Sequence, residues 1–167
     1  MVSDRPDKGR INKVSIPRLL LTLLLLLGFS EAVSANQENA TDDAGRLFAI
    51  QILPLFKTKC FGCHGDDPKG DPKGELDVRN RPALLKGGES GEPSIVPGKP
   101  EKSLLVKAIL WEDLEMPPKR NDRLTAAQVT SVRQWIAAGA PWPEQDVIRR
   151  YQEEDRQRVS AESVRVI

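Results

Sequence analysis

Five consecutive residues, Cys60-Phe61-Gly62-Cys63-His64, hold both cysteines and the single histidine of this 167-residue chain. All the thiol and imidazole chemistry of the protein is confined to this window, and the fold has to be built around whatever the window holds. A structural zinc site takes four protein ligands. Two Cys and one His, with Asp66 or Asp67 recruited, would make a cramped and unusual set. A thioredoxin-like redox pair needs only the cysteines, but it normally follows a strand in an α/β context. No apolar-polar alternation of the strand kind occurs in this sequence. A plain Cys60–Cys63 disulfide leaves His64 without a role.

The remaining reading is that Cys-x-x-Cys-His is the attachment sequence of c-type haem. Each thiol S–H adds across one vinyl group, and the two-residue spacer lets both sulfurs reach the vinyls from one face of the porphyrin. The next residue, His64, then lies under the iron as its proximal ligand. One covalently bound haem c on Cys60 and Cys63 also supplies apolar bulk. Aromatic residues make up only 5% of the chain, and a small domain with so little core needs a staple.

The N-terminus reads as an export signal. Arg5, Lys8, Arg10, Lys13 and Arg18 precede the apolar run Leu19–Phe29, and Val33 and Ala35 are placed for cleavage after Ala35. Eleven apolar residues fall short of the ~20 that a spanning helix needs, so no stable membrane span is expected once residues 1–35 are removed. Removal takes away five bases and three acids and turns the formal charge of +1 into −1. With no basic stripe, nucleic acid is not an expected partner. The expected location is exported, in the periplasm or on the cell surface, where thiols are oxidised. The expected partners are exported or membrane redox proteins, met by a monomer.

The rest of the chain reads as helices and long loops. Phe48, Ile52, Leu55 and Phe56 fall on one helical face. This predicts a helix over about residues 43–59, with Thr41 as a cap and a local kink or stop at Pro54. Asp-Pro-Lys-Gly occurs twice in tandem, at 67–70 and 71–74, and reads as an exposed loop lengthened by duplication. A short helix is expected over 81–86, closed by Gly87-Gly88. Another is expected after Pro100, carrying Leu104, Leu105, Ala108 and Ile109. The clearest helix opens at Thr125 with Gln128 completing a capping box, buries Val129, Val132, Trp135 and Ile136, and closes at Gly139. Residues 144–167 are rich in charges of mixed sign and read as a solvated helix or linker. The expected class is all-α, with three to five short helices and long loops around one haem.

The candidate for a second axial ligand can be sought by elimination. Low-spin cytochromes pair His with Met, and after signal removal the only methionine is Met116, 52 residues beyond His64 in the Pro-rich stretch Leu114-Glu115-Met116-Pro117-Pro118. The alternative is that Met116 fills a gap in the core. The two prolines stiffen the loop that would present the sulfur. For the other ring nitrogen of His64 the candidate partner is a backbone carbonyl near Pro97. Arg79 is the candidate counter-charge for a haem propionate. Trp135 is expected to pack on the first helix or on the haem.

With these elements in view, the chain resembles the planctomycete-type cytochrome c module, a branch of the class I cytochrome c fold. The stretches that carry the resemblance are ILPLFKTKCFGCHG, LLKGGESG, SIVPGKPEKSLLVKAI, LEMPP and LTAAQVTSVRQWIAAGAPWP, between about Phe48 and Pro143. The resemblance implies haem c on Cys60 and Cys63 with His64 and Met116 as axial ligands. The expected domain therefore spans 43–143, and the expected function is one-electron transfer by a carrier that is not an enzyme. Two other readings stand beside it: a haem-bearing sensor or binding module with a labile Met116, and a truncated N-terminal module of a larger surface protein. The chain departs from the family in the duplicated Asp-Pro-Lys-Gly, since the family often carries the KGEL-like step closer to CHG.

Overall fold

A computed structural model describes residues 41–65 and 70–165. Residues 1–35, read above as an export signal, and most of the first Asp-Pro-Lys-Gly copy lie outside the described residues. Every regular element among the described residues is helical, as the missing strand pattern predicts.

The first helix, α1, runs over residues 41–59 and passes straight through Pro54. Thr41 already lies inside it and is not its cap. Proline inside a helix removes a hydrogen bond and clashes with the carbonyl four residues back. Here the backbone widens into a π turn over Phe48–Ile52, in which the Leu53 N–H donates to the Phe48 carbonyl five residues back. The expected stop is thereby avoided, since single π turns inside α-helices accommodate such insertions. Phe48, Ile52, Leu55 and Phe56 are all buried, as their spacing predicts.

Three short helices follow, α2 (Phe61–His64), α3 (Arg81–Lys86) and α4 (Leu104–Leu110), then α5 (Ala126–Ala137) and α6 (Gln145–Arg165). The Asn80 side chain caps α3 by accepting from the Ala83 N–H. Gly87 closes α3 at φ 84°, where an added Cβ would lie 1.9 Å from the Glu92 carbonyl oxygen. The predicted capping box opens α5: Thr125 Oγ1 accepts from the Gln128 N–H, and Gln128 Oε1 accepts from the Thr125 N–H. Val129, Val132, Trp135 and Ile136 form the buried stripe of α5. Trp135 packs on the first helix, with ring centroids 5.7 Å from Phe48 and 5.8 Å from Phe56, and its indole N–H donates to the Pro141 carbonyl.

The 144–167 segment is more than a solvated tail. In its first half, α6 docks along α1, burying Ile148 and Tyr151. Tyr151 donates to Asp42, and Arg46 pairs with Glu154 at 2.6 Å. Gly45 admits this approach, since an added Cβ there would lie 3.2 Å from Pro143 and 3.6 Å from Tyr151. From Val159 onward α6 is exposed.

Candidate cofactor site

The CFGCH segment folds back on its own first residue. The Cys60 N–H ends α1 by donating to the Phe56 carbonyl, and the Cys60 carbonyl accepts from both Cys63 N–H (3.1 Å) and His64 N–H (2.9 Å). This single turn directs Cys60, Cys63 and His64 into one cavity of ≈ 660 Å³, within the ~300–1,000 Å³ usual for cofactor sites. Phe61 packs against the core instead, and a Cβ at Gly62 would touch nothing within 4 Å.

Burial, with Cys63 beside it, pushes the Cys60 thiol up to about 12. A catalytic redox cysteine requires the opposite shift. Among the described residues no three His, Cys, Asp or Glu side chains converge on a metal ion. Asp66 and Asp67, the candidate zinc recruits, lie outside the described residues.

His64 Nδ1 lies 2.9 Å from the Lys73 carbonyl. A carbonyl only accepts, so Nδ1 is the donor of this bond, and in the neutral ring that leaves Nε2 as the acceptor, the tautomer a metal-ligating His needs. This partner replaces the carbonyl expected near Pro97. Pro97 is exposed, and its turn is drawn toward α5 by the Gly98 N–H, which donates to the Ile136 carbonyl at 2.8 Å. Lys73 belongs to the second Asp-Pro-Lys-Gly copy, so the duplication keeps a carbonyl on the histidine while the first copy adds length. Gly88 holds the second copy in place. The neighbouring Glu89 N–H donates to the Gly74 carbonyl at 2.8 Å, and a Cβ on Gly88 would stand 2.1 Å from that oxygen.

Met116 enters the same cavity from the loop after α4. Both of its backbone polar groups are held: its N–H donates to the Ala108 carbonyl (3.1 Å), and its carbonyl accepts from the Trp111 indole N–H (3.2 Å). Trp111 closes α4 at φ 64°, a left-handed position that costs a side chain about 1–2 kcal/mol and usually falls to glycine. The indole is braced there by Arg123, whose guanidinium lies 4.5 Å from the ring centroid and donates to the Leu110 carbonyl. Sequence reasoning missed Trp111, although a tryptophan five residues before the only candidate methionine was the available signal.

Arg79 does not face the cavity. It grips Asp77 with two side-chain bonds of 2.9 Å and lies over Gly65. The cationic residues in the lining are Lys59 and Lys73. The short distance in sequence between Asp77 and Arg79 explains the change: a carboxylate two residues away is reached with little loss of chain freedom. Most of the remaining lining is apolar, with Leu76, Val78, Leu105, Ala108 and Ile109 among its residues.

Among the described residues, fold and cavity together define a small all-helical module with the CxxCH turn in the wall of a largely apolar cavity. Residues 60–120 match the family described as Planctomycete cytochrome C. The match opens on Cys60 and runs past Met116, and it is the family that the sequence resembles. No curated protein and no solved structure matches the chain. Among the described residues no helix is long and apolar enough to cross a membrane.

Proposed function

We propose that this protein is a monohaem c-type cytochrome that carries single electrons between exported redox partners. The observation that carries this reading is the shared cavity: it is lined by Cys60, Cys63 and His64 and by Met116, residues otherwise far apart in sequence. The donor set fits the group. The two thiols would hold the porphyrin through its vinyls as thioethers, His64 would offer Nε2 to the iron, and Met116 would offer a thioether sulfur, a pairing that raises the reduction potential. Bound haem supplies a one-electron iron couple. The Lys73 carbonyl fixes the His64 ring and increases its basicity. The apolar lining excludes water, which disfavours the more highly charged oxidised site. Leu114, exposed on the cavity lining, marks the side on which a redox partner reaches the cofactor edge.

Expression in a host that exports and matures c-type cytochromes provides the test. A denaturing gel stained for haem peroxidase activity should show a haem band at the mature mass, and a colourless band rejects the reading. Carbon monoxide should scarcely alter the reduced spectrum if Met116 is firmly bound. A full response assigns the protein to the sensor class instead.

A further inference from the structure

Two polar side chains are buried in the described core, Ser94 at 3% exposure and Ser103 at 0%. They differ in one respect. The Ser103 hydroxyl is fully used, donating to the Lys99 carbonyl (3.0 Å) and accepting from the Val96 N–H (2.9 Å). Ser94 lines the cavity, and among the described residues no protein group bonds its hydroxyl. No fully buried side-chain polar atom of the described residues is left without a partner, so the Ser94 hydroxyl opens onto the cavity, where it can bond whatever fills that space.

The backbone restricts what that is. The Ser94 carbonyl accepts from the Leu105 N–H in the first turn of α4, whereas the Met116 N–H donates to the Ala108 carbonyl toward the other end of that helix. Helix N–H groups point to the start and carbonyls to the end. Ser94 and Met116 are therefore anchored about one turn apart along α4, at different places on the cavity wall. At its periphery a porphyrin carries two carboxylates as its hydrogen-bonding groups. Arg79, the residue expected to meet one of them, is committed to Asp77. We infer that Ser94 is a cofactor-binding residue whose hydroxyl donates to a propionate carboxylate of the bound porphyrin. The inference rests on the haem reading proposed above.

A hydroxyl donating to a carboxylate favours its ionised form and lowers its pKa. The midpoint potential falls as that carboxylate deprotonates, because the new negative charge stabilises the oxidised site. In Ser94→Ala the inflection of midpoint potential against pH should move up by roughly one pH unit, the worth of one hydrogen bond to a charged group. Ser94→Thr, which keeps the hydroxyl, should retain the wild-type inflection. Ser94→Val matches threonine in size and should follow alanine, so the Thr/Val pair separates the hydroxyl from packing. An unmoved inflection in haem-loaded Ser94→Ala, or the same inflection in Thr and Val, overturns the inference and leaves the haem reading standing. A wild-type protein without covalent haem on the stained gel overturns both.

Discussion

The Lys59 ammonium lies 2.6 Å from the Asp122 carboxylate, tying the residue before Cys60 to the 3₁₀ turn over Arg120–Asp122 that follows the Met116 loop. The two segments proposed to hold the iron are thus joined by a contact between residues 63 positions apart. Lys59 also lines the cavity, so the ion pair stands at the site and not on a remote surface.

Breaking this tie should loosen the Met116 loop. Asp122→Asn is expected to increase carbon monoxide binding to the reduced protein by no more than a few-fold, since the Asp122 end of the pair is exposed and partly solvated pairs are weak. Raised salt should act in the same direction. Lys59, assisted by Lys119, holds the Asp122 carboxyl below its usual range. A depressed carboxylate contributes stability above its unfolded pKa and loses it as pH falls through the folded value. The tie should therefore be intact at neutral pH and release only below the ordinary carboxylate range. A variant whose carbon monoxide response equals that of the wild type at every pH and salt concentration removes any role for the tie.

Trp111 holds Met116 from the other side. Trp111→Phe keeps a ring under Arg123 but removes the indole N–H that bonds the Met116 carbonyl. Thermal stability should fall by about 1 kcal/mol, and the sulfur-to-iron charge-transfer band of the oxidised protein should weaken. Met116→Ala should abolish that band and lower the potential. If the band survives in Met116→Ala, another group ligates the iron.

Helix faces were legible in the sequence because burial is periodic and caps are local. The Thr125–Gln128 box, the 81–86 helix with its closing glycines and the stripe Val129, Val132, Trp135 and Ile136 all stand where the pattern puts them. Partners were less legible. His64 bonds the Lys73 carbonyl and not one near Pro97, and Arg79 turns to Asp77. In both cases a group nearby in the chain took the bond, because closing a short loop costs less entropy than closing a long one. The polar composition of residues 144–167 hid Ile148 and Tyr151, two apolar anchors among many charges. Nothing in a linear pattern marks the π turn at Phe48–Ile52, which accommodates Pro54 and whose Ala49 carbonyl accepts a bond from Gln152, a hundred residues later.

Gly88→Ala tests the proximal side. Its added Cβ would press on the Gly74 carbonyl at 2.1 Å, and overpacking of this kind costs about 1–3 kcal/mol. The loop it displaces carries the carbonyl that fixes His64, so the haem spectrum should change as well as the melting temperature. Gly62→Ala, which meets nothing within 4 Å, should change neither. Equal behaviour of the two alanines would show that the Gly74–Gly88 contact does not position the histidine.

The docking of α6 can be tested at the π turn itself. Pro54 has no N–H to give the Ala49 carbonyl five residues back. Gln152 Nε2 of α6 supplies that bond at 3.0 Å. Gln152→Ala should leave the carbonyl poorly satisfied and cost about 1–3 kcal/mol, while Val164→Ala on the exposed end of the same helix should fall within about 0.5 kcal/mol of the wild type. Pro54→Ala restores a donor inside α1. The cost of Gln152→Ala should therefore shrink in the Pro54→Ala background, a coupling that a double-mutant cycle of thermal or urea unfolding measures directly. Additive costs would mean that Gln152 stabilises the protein for some other reason. Coupled costs would make the first half of α6 part of the folded unit, since the helix that leads into the CxxCH turn would then depend on it for its own hydrogen bonding.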